Sequence, residues 1–299
     1  MGAARLLAGL VRVVPPAELT AIVNVGDDVE LHGLHVSPDL DTVTYTVAGA
    51  IDPDRGWGLA GETWHAMDAL ARYPSSRRWF NLGDRDLATH LYRTDRLRAG
   101  APLSVVSQEI ADAWGLGLRL LPATDERLQT RVTVEGDGEI GFQEYFVQRQ
   151  HSVPVSAVRF DGAEEASPAP GVLDAIATAD RVVIAPSNPL VSIDPVLAVP
   201  GVRAAVEARR ADGVAVSPIV AGAALKGPAD RLLRELGHEP SVVGVARLYA
   251  PLVATLVIDE ADEHLAGEVE AAGVSCVVAP TVMRGPEEAA ALGRLVAGR

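Results

Sequence analysis

Four aspartates lie close together in two neighbouring segments of the chain, Asn24–Asp28 and Ser37–Thr42. The four residues are Asp27, Asp28, Asp39 and Asp41. Carboxylates at short range raise one another's pKa unless a metal ion or a base compensates their charge. Helix capping or a solvated loop explains one or two such aspartates well and four poorly. Because oxygen ligands favour magnesium, the cluster predicts a magnesium site.

Small and polar residues follow three predicted strands. The strand Leu19–Val23 is followed by Asn24, a second strand by Ser187 and Asn188, and a third by Ser217. In an open parallel sheet, ligands bind outside the carboxyl ends of the strands. Small residues there let a ligand approach the backbone, and hydroxyl or amide groups can bind phosphate oxygens. Taken singly, the serine segments are also explained by ordinary turn chemistry.

A further polar cluster opens a predicted helix and contains Asp84, Arg85, Asp86 and His90. A helix N-terminus beside an arginine is a natural anion site, because free N–H groups and the helix dipole both favour negative charge. The simpler interpretation is an aspartate N-cap with a solvated arginine. His90 falls on the same helix face as Asp86, four residues earlier. Three tryptophans close in sequence to these loops could wall a pocket or pack in the core: Trp57, Trp64 and Trp79.

Short β-branched runs alternate with helical patterns, which predicts an α/β fold with a Rossmann-like, mostly parallel sheet covered by helices. The predicted strands are Leu19–Val23, Arg181–Ala185, Val214–Ser217, Thr255–Ile258 and Ser275–Val278. None carries a charge in its interior, as expected for a sheet buried on both faces. The predicted helices are Glu62–Arg72, Leu87–Arg98, Val202–Arg210, Ala229–Leu236, Glu263–Ala272 and Pro286–Ala297.

One region interrupts this alternation. Gln129–Val134 and Glu139–Val147 flank a glycine-containing turn and predict a smaller antiparallel hairpin. The stretch Ala163–Pro170 resembles its exit linker. We therefore predict a single α/β domain over residues 1–299, with an insertion at about residues 120–165.

Composition narrows the class of protein. The net charge of −14 and pI near 4.9 argue against a nucleic-acid-binding surface. Cys276 is the only cysteine, which fits a reducing cytoplasm, and it is predicted to be a buried strand residue. No apolar run reaches the roughly 20 residues of a membrane helix, so we expect a soluble, cytoplasmic protein. The motifs of P-loop hydrolases, serine hydrolases and zinc proteases are missing, which leaves a metal-assisted phosphate-handling enzyme.

The sequence resembles the 2-phospho-L-lactate transferase family over nearly its whole length. The residues that carry the resemblance are Asn24–Asp28, Ser37–Tyr45, Leu82–His90, Ala185–Pro189 and Ser217–Val220. The resemblance implies an enzyme of coenzyme F420 biosynthesis. In that reaction the ribitol hydroxyl of the deazaflavin Fo attacks a guanosine diphospho-donor, which carries a lactyl or enolpyruvyl group, and GMP is released. Mg²⁺ across the diphosphate is the physically expected helper.

The resemblance also implies roles for individual residues. Asp27, Asp39 and Asp41 would hold the metal or orient the attacking hydroxyl, and Arg85 would neutralise phosphate or contact Fo. The remaining substrate-binding candidates are Gly2, Arg5, Asn24, Thr42, Asp84, His90, Ser187, Asn188 and Ser217. Among these, Ser187, Asn188 and Ser217 would receive the guanosine diphospho moiety, while Thr42, with Asp41 and the nearby tryptophans, would line the Fo side. A homodimer is expected.

Family members begin with a strand and a glycine-rich turn, whereas this chain begins inside that motif, at Gly2. We expect in-frame upstream DNA to encode a short apolar strand and that turn, and an upstream stop codon would refute this. The segment Ile51–Gly58 favours an enolpyruvyl donor over a lactyl donor. The alternative function is a non-catalytic, nucleotide-binding regulatory protein of the same fold.

Overall fold

The computed structural model describes residues 1–74, 76–77 and 79–299 and shows parallel sheets surrounded by helices, with small antiparallel sheets beside them. The strands are β1 (Thr20–Val23), β2 (Val29–Leu31), β3 (Leu34–Val36), β4 (Arg119–Pro122), β5 (Gln129–Val134), β6 (Gly138–Gly141), β7 (Val155–Asp161), β8 (Val182–Ile184), β9 (Gly213–Val216), β10 (Ile219–Val220), β11 (Ala223–Ala224), β12 (Thr255–Ile258) and β13 (Ser275–Val278). This architecture confirms the predicted α/β fold class.

Twelve α-helices are found among the described residues. They are α1 (Gly2–Leu10), α2 (Pro38–Val47), α3 (His65–Leu70), α4 (Asp86–Arg98), α5 (Leu103–Ala113), α6 (Val172–Thr178), α7 (Asp194–Ala198), α8 (Val202–Ala208), α9 (Ala229–Glu235), α10 (Val242–Tyr249), α11 (Ala266–Ala271) and α12 (Pro286–Ala297). The predicted helices are present, although α3 is shorter than expected. A 3₁₀ segment, Glu260–Leu265, precedes α11.

The larger parallel sheet has the strand order β13-β12-β9-β8. All four residues of β9 are buried, and so are three of the four in β12, because helices cover both faces. Uncharged, β-branched strands are the sequence type that such a double-sided burial requires. The prediction that Cys276 is buried was wrong in degree, since this residue on the edge strand β13 is only partly buried.

A second parallel pair, β1 with β4, lies apart from the larger sheet. Within the described residues, no strand pairing joins β1 to β8. A cavity of about 820 Å³ lies between them and is lined by both strands, by α1 and by α6. The one sheet expected from the sequence is therefore divided into two parallel sheets by this cavity.

The predicted hairpin is part of a three-stranded antiparallel sheet with the order β6-β5-β7. The prediction that its second strand extends to Val147 was wrong, because this strand ends at Gly141 and a π-helical turn occupies Glu144–Gln148. Tyr145 is completely buried and packs against Phe142, with the ring centroids 6.0 Å apart and the ring planes tilted by 39°. In a continued strand, alternate side chains would point to opposite faces of the sheet and half of them would be exposed. The π-helical turn instead lets Tyr145 be buried.

No single helix within the described residues is long and apolar enough to cross a membrane. A bent pair, Pro189–Ala198 with Val202–Ala208, passes the same length and composition test only when its two halves are taken together. Its apolar residues, including Leu190, Leu197 and Val202, are packed in the hydrophobic core.

Candidate active site

Asn24 organises the loop that follows β1. Its side-chain oxygen accepts a hydrogen bond from the Gly26 backbone N–H at 2.8 Å, and its amide nitrogen donates to Asp39 Oδ2 at 3.0 Å. Gly26 is required here because a β-carbon would lie 2.5 Å from the Thr130 hydroxyl. This pairing connects the carboxyl end of β1 to the first turn of α2, so the sequence segments 24–28 and 37–42 do meet.

Asp27 and Asp39 form a pair of carboxylates without a cationic side-chain partner among the described residues. Burial raises the pKa of Asp27 well above its usual value, the charge of Asp39 raises it further, and the Asn24 hydrogen bond only partly opposes this. Burial also raises the pKa of Asp39, against the nearby α-amino group of Met1 and the Asn24 bond. The Oδ1 atom of Asp27 is buried and has no hydrogen-bond partner. Two carboxylates in this state favour a bound cation.

Asp28 is occupied by hydrogen bonds within the loop. Its Oδ2 atom accepts from Ser37 Oγ at 2.7 Å and lies 2.9 Å from His35 Nε2. Ser37 is the N-cap residue of α2, yet its hydroxyl does not cap the helix because it is turned toward Asp28. Burial raises the pKa of Asp28, against the hydrogen bond from His35. Asp28 therefore fixes the start of α2.

Asp41 points to the opposite side of α2, where it forms an ion pair with Arg93 of α4. Arg93 Nη2 contacts Asp41 Oδ1, and Nη1 lies 3.1 Å from Oδ2. The side chains are 1% and 7% exposed, so both charges are removed from water. Burial lowers the pKa of the Arg93 guanidinium, but the Asp41 charge and hydrogen bond raise it overall. Asp41 thus has an arginine counterion, whereas Asp27 and Asp39 have no cationic side-chain partner among the described residues.

Asp86 and His90 extend this buried cluster along α4. Asp86 Oδ1 accepts from the Tyr45 hydroxyl at 2.6 Å, and His90 Nε2 lies 3.3 Å from Asp86 Oδ2. Burial raises the pKa of Asp86, but the bond and charge of His90 lower it overall. The shared face predicted for Asp86 and His90 is confirmed. Asp41, Asp86 and His90 each offer a ligand atom within 4.8 Å of the others, which makes them a possible metal-binding triad.

The N-terminus of α4 is capped by a residue of the protein itself. Glu62 accepts hydrogen bonds from the Arg85 N–H at 2.7 Å and the Asp86 N–H at 3.2 Å. Asp84 caps a different helix, α3, by accepting from the His65 and Ala66 N–H groups, both at 2.9 Å. The anion site predicted at this terminus therefore contains a glutamate carboxylate. The Arg85 guanidinium donates to the Ala60 carbonyl at 2.7 Å and stays exposed.

The loops after β8 and β9 differ in their accessibility. Ser187 lines the cavity between the two parallel sheets. Asn188 accepts from the Leu190 N–H at 2.9 Å and caps the following turn. Ser217 is 2% exposed and exchanges hydrogen bonds with Ile219 backbone groups, at 3.0 and 3.1 Å. Ser217 and Asn188 thus adopt the turn geometry that the sequence left open as the alternative.

Two residues of α1, Gly2 and Arg5, contact the loops that follow strands of the larger sheet. A β-carbon on Gly2 would lie 2.4 Å from the Pro186 carbonyl oxygen, so only glycine fits at this contact with the loop after β8. Arg5 Nη1 donates to the Met283 carbonyl at 3.1 Å, beyond β13. Both residues hold α1 across the carboxyl end of the larger sheet.

The tryptophans separate into different environments. The Arg55 guanidinium lies 5.4 Å from the Trp57 ring centroid and 5.3 Å from that of Trp64, and the two rings are 5.9 Å apart. Trp57 is 44% exposed and remains available to a ligand. Trp79 instead packs with Phe80 and the small core beneath β2 and β3.

Seven of the predicted site residues fall into two groups. Asn24, Asp39, Thr42 and Ser187 line the 820 Å³ cavity, whereas Asp41, Asp86 and His90 form a separate cluster between α2 and α4. No role in the site was predicted from the sequence for Arg93 or Glu62, although both lie in predicted helices. Arg93 could have been noticed, because it lies three residues after His90 and seven after Asp86 on one helix face.

The chain has an α/β fold with an acidic pair, Asp27 and Asp39, at the carboxyl end of β1 and the start of α2. In fold, it is similar to the crystal structure of a UPF0052 family member from Bacillus halodurans, with a TM-score of 0.63, 15% identity, and coverage of 99% of this chain and 96% of the other. A sequence model of 2-phospho-L-lactate transferase CofD matches residues 1–280, so the chain belongs to this family.

Close relatives agree with this assignment. The chain is 47% identical over 300 residues to a phosphoenolpyruvate transferase from Nocardia farcinica, covering 98% of this chain and 90% of the relative. It is 46% identical over 298 residues to one from Streptomyces coelicolor, covering 98% and 93%. A third, from Mycolicibacterium smegmatis, is 45% identical over 282 residues, covering 93% and 86%. The resemblance seen in the sequence is confirmed, and the family supports a transferase of coenzyme F420 biosynthesis.

Proposed function

We propose that this protein transfers a phosphoenolpyruvyl or phospholactyl group from a guanosine diphospho-donor to the ribitol hydroxyl of Fo, with release of GMP. The observation that carries the proposal is a pair of carboxylates with raised pKa, the buried Asp27 and the half-buried Asp39, of which Asp39 lines a large cavity. The names of its relatives favour the enolpyruvyl donor. The cytoplasm remains the expected location, and a homodimer the expected assembly.

Asp27 and Asp39 are the residues that we assign to Mg²⁺. Their chemistry fits, because both are oxygen donors, the pKa of each is raised, and Asp27 Oδ1 lacks a partner. When bound, Mg²⁺ would neutralise charge on the diphosphate during the displacement. Asp41 has Arg93 as its counterion, so we assign it to holding α2 and α4 together. The triad of Asp41, Asp86 and His90 is the alternative metal site.

The remaining residues would position the two substrates. The amide of Asn24 keeps Asp39 directed toward the cavity, and the half-buried Ser187 lies on the β8 side of the same space. Thr42 lines this cavity one turn along α2 from Asp39, so its hydroxyl is suited to orient the attacking alcohol. The exposed rings of Trp57 and the guanidinium of Arg85 would contact the flat deazaflavin.

The test is a product assay with purified protein, Fo, Mg²⁺ and each donor in turn. We expect GMP release that depends on Fo and a phosphodiester of Fo as the product. With both donors present at equal concentration, the enolpyruvyl product should predominate. Absence of any product at all Mg²⁺ concentrations, with GMP still bound, would instead support the non-catalytic nucleotide-binding protein.

The metal assignment is tested separately with Asp39→Asn, compared with Asp86→Asn as the matched variant of the alternative site. Titration calorimetry should show that Asp39→Asn weakens Mg²⁺ binding at least about tenfold, since it removes one charged oxygen ligand. Asp86→Asn should bind Mg²⁺ like the wild type. The opposite ranking would move the metal to the triad.

A further inference from the structure

Thr130 is the polar residue on the buried face of β5. Half-buried and buried residues alternate along this strand, and its buried residues are Thr130, Val132 and Val134, which are 1%, 0% and 2% exposed. Val132 and Val134 belong to the main hydrophobic core. Valine has nearly the shape of threonine and would bury a methyl group at position 130 in place of the hydroxyl. Packing alone therefore does not explain a hydroxyl at this position.

The Thr130 hydroxyl is buried and has no hydrogen-bond partner among the described residues. Removing a hydroxyl from water without a new partner is unfavourable. Nearly all buried polar groups in proteins are therefore hydrogen-bonded, either to the protein or to an ordered water. The partner expected for the Thr130 hydroxyl is thus a water molecule or a ligand.

Thr130 contacts the loop that carries Asp27. The Thr130 N–H donates to the Gly26 carbonyl at 2.7 Å, and a β-carbon on Gly26 would lie 2.5 Å from the Thr130 hydroxyl oxygen. The same β-carbon would lie 3.0 Å from the side-chain oxygen of Asn24, whose amide nitrogen donates to Asp39. The Thr130 hydroxyl and the Asn24 side chain therefore face the same point of the loop, beside the residues that carry the acidic pair.

A second buried oxygen without a partner lies in this loop. Asp27 follows Gly26 and is 7% exposed, and its Oδ1 atom has no hydrogen-bond partner among the described residues. An unpaired carboxylate oxygen and an unpaired hydroxyl together suit a hydrated cation. The carboxylate can bind the cation, and the hydroxyl can accept a hydrogen bond from one of its waters. Mg²⁺ in proteins usually keeps several waters, so a hydroxyl near the site can act on the ion without binding it directly.

We propose that Thr130 is a positioning residue of the metal site, whose hydroxyl binds a water molecule in the hydration shell of the cation held by Asp27 and Asp39. The inference rests on the proposed function for the presence of that cation. Groups that surround a metal site orient its ligands, and their replacement typically weakens metal binding 10- to 100-fold. Loss of the Thr130 hydroxyl should therefore weaken cation binding, although it removes no charged ligand.

The first experiment measures Mg²⁺ binding by Thr130→Val, Thr130→Ser and the control Ser107→Ala. Ser107 of α5 is 3% exposed, and its hydroxyl also has no partner among the described residues. No hydrogen bond within this part of the chain joins it to the loop at residues 24–28. In titration calorimetry with Mg²⁺ alone, Thr130→Val should bind about tenfold more weakly than the wild type. Thr130→Ser keeps the hydroxyl and should bind within about twofold of the wild type, and Ser107→Ala should match it. Equal affinities for Thr130→Val and the wild type would overturn the proposal.

The second experiment tests whether the Thr130 hydroxyl has a purely structural role. In thermal unfolding with EDTA, Thr130→Val removes an unpaired buried hydroxyl and should raise the midpoint by about 1–2 °C. Addition of Mg²⁺ should then raise the midpoint of the wild type more than that of the variant, because a ligand stabilises the fold in proportion to its affinity. A lower midpoint for Thr130→Val in EDTA, with an equal gain from Mg²⁺ in both proteins, would assign the hydroxyl to structure and overturn the proposal.

These results separate the two proposals. If Thr130→Val weakens Mg²⁺ binding but the wild type transfers nothing to Fo, the role of Thr130 is supported and the proposed function fails. If transfer occurs, Asp39→Asn weakens Mg²⁺ binding and Thr130→Val binds Mg²⁺ like Ser107→Ala, the proposed function is supported and the role of Thr130 is refuted.

Discussion

Replacing Arg93 should destabilise the protein strongly, because it removes the counterion of a buried carboxylate. Arg93 is 1% exposed and Asp41 7%, so neither charge can be solvated without local opening. Removing one partner of such a pair costs about 3–5 kcal/mol. The negative charge of Asp28 also stabilises the Arg93 guanidinium. Replacing Arg93 therefore leaves two carboxylates without this positive charge, so we expect a cost in the upper part of this range. Domains are typically stable by about 5–15 kcal/mol, so Arg93→Met should lie close to unfolding.

The assay is urea denaturation of a double-mutant cycle, followed by far-UV circular dichroism. The proteins are the wild type, Arg93→Met, Asp41→Asn and the double variant. Because the double variant leaves neither charge unpaired, it should be more stable than Arg93→Met, with a coupling free energy of about 2 kcal/mol or more. Two results would refute a buried ion pair between Arg93 and Asp41: a decrease of less than about 1 kcal/mol in the free energy of unfolding for Arg93→Met, or a double variant that is no more stable than Arg93→Met.

Three further predictions concern the helices and the acidic pair. Gly9→Ala should destabilise by about 1–3 kcal/mol, because its β-carbon would lie 2.0 Å from the Ala289 carbonyl oxygen of α12. The matched variant Gly267→Ala, with open space at its position in α11, should stabilise by about 0.5–1 kcal/mol in thermal denaturation; equal effects would contradict this packing. Glu62→Gln should cost about 1 kcal/mol, since it weakens the cap of α4. Because the pKa of Asp27 is raised in the folded protein, its protonated carboxyl contributes stability at low pH. Without metal, this contribution should be lost as the pH rises from about 4, the pKa of an unfolded aspartate, through the raised pKa of the folded state. Asp27→Asn should remove this pH dependence from urea unfolding, and an unchanged slope would contradict the burial of Asp27.

The strands were predictable because local sequence determines them. Thr255–Ile258 and Ser275–Val278 have the predicted bounds, since each is a short uncharged run that only a buried sheet accommodates. The turn at Glu144–Gln148 was missed because its aromatic residues also fit an alternating strand, and only the packing of Tyr145 distinguishes the two. The division of the parallel sheet depends on which strands pair, and strand composition does not encode that.

The acidic cluster was predictable as a group, but its internal division was not. Asp27 and Asp39 have no cationic side chain as a partner among the described residues, while Asp41, two residues after Asp39 on α2, is paired with Arg93. Residues two apart on a helix point in different directions. The partner of Asp41 lies 52 residues away, so this contact follows from the packing of α2 against α4 and not from local spacing.

The most direct measurement is the Mg²⁺ dependence of Fo-dependent GMP release by the wild type, Asp39→Asn and Asp86→Asn. The wild type should release GMP only when Fo and Mg²⁺ are both present. Asp39→Asn should require at least about tenfold more Mg²⁺ for half-maximal release, whereas Asp86→Asn should follow the wild-type curve. GMP release that needs no Fo would contradict transfer to Fo, and a Mg²⁺ requirement altered by Asp86→Asn and not by Asp39→Asn would contradict a metal site at Asp27 and Asp39.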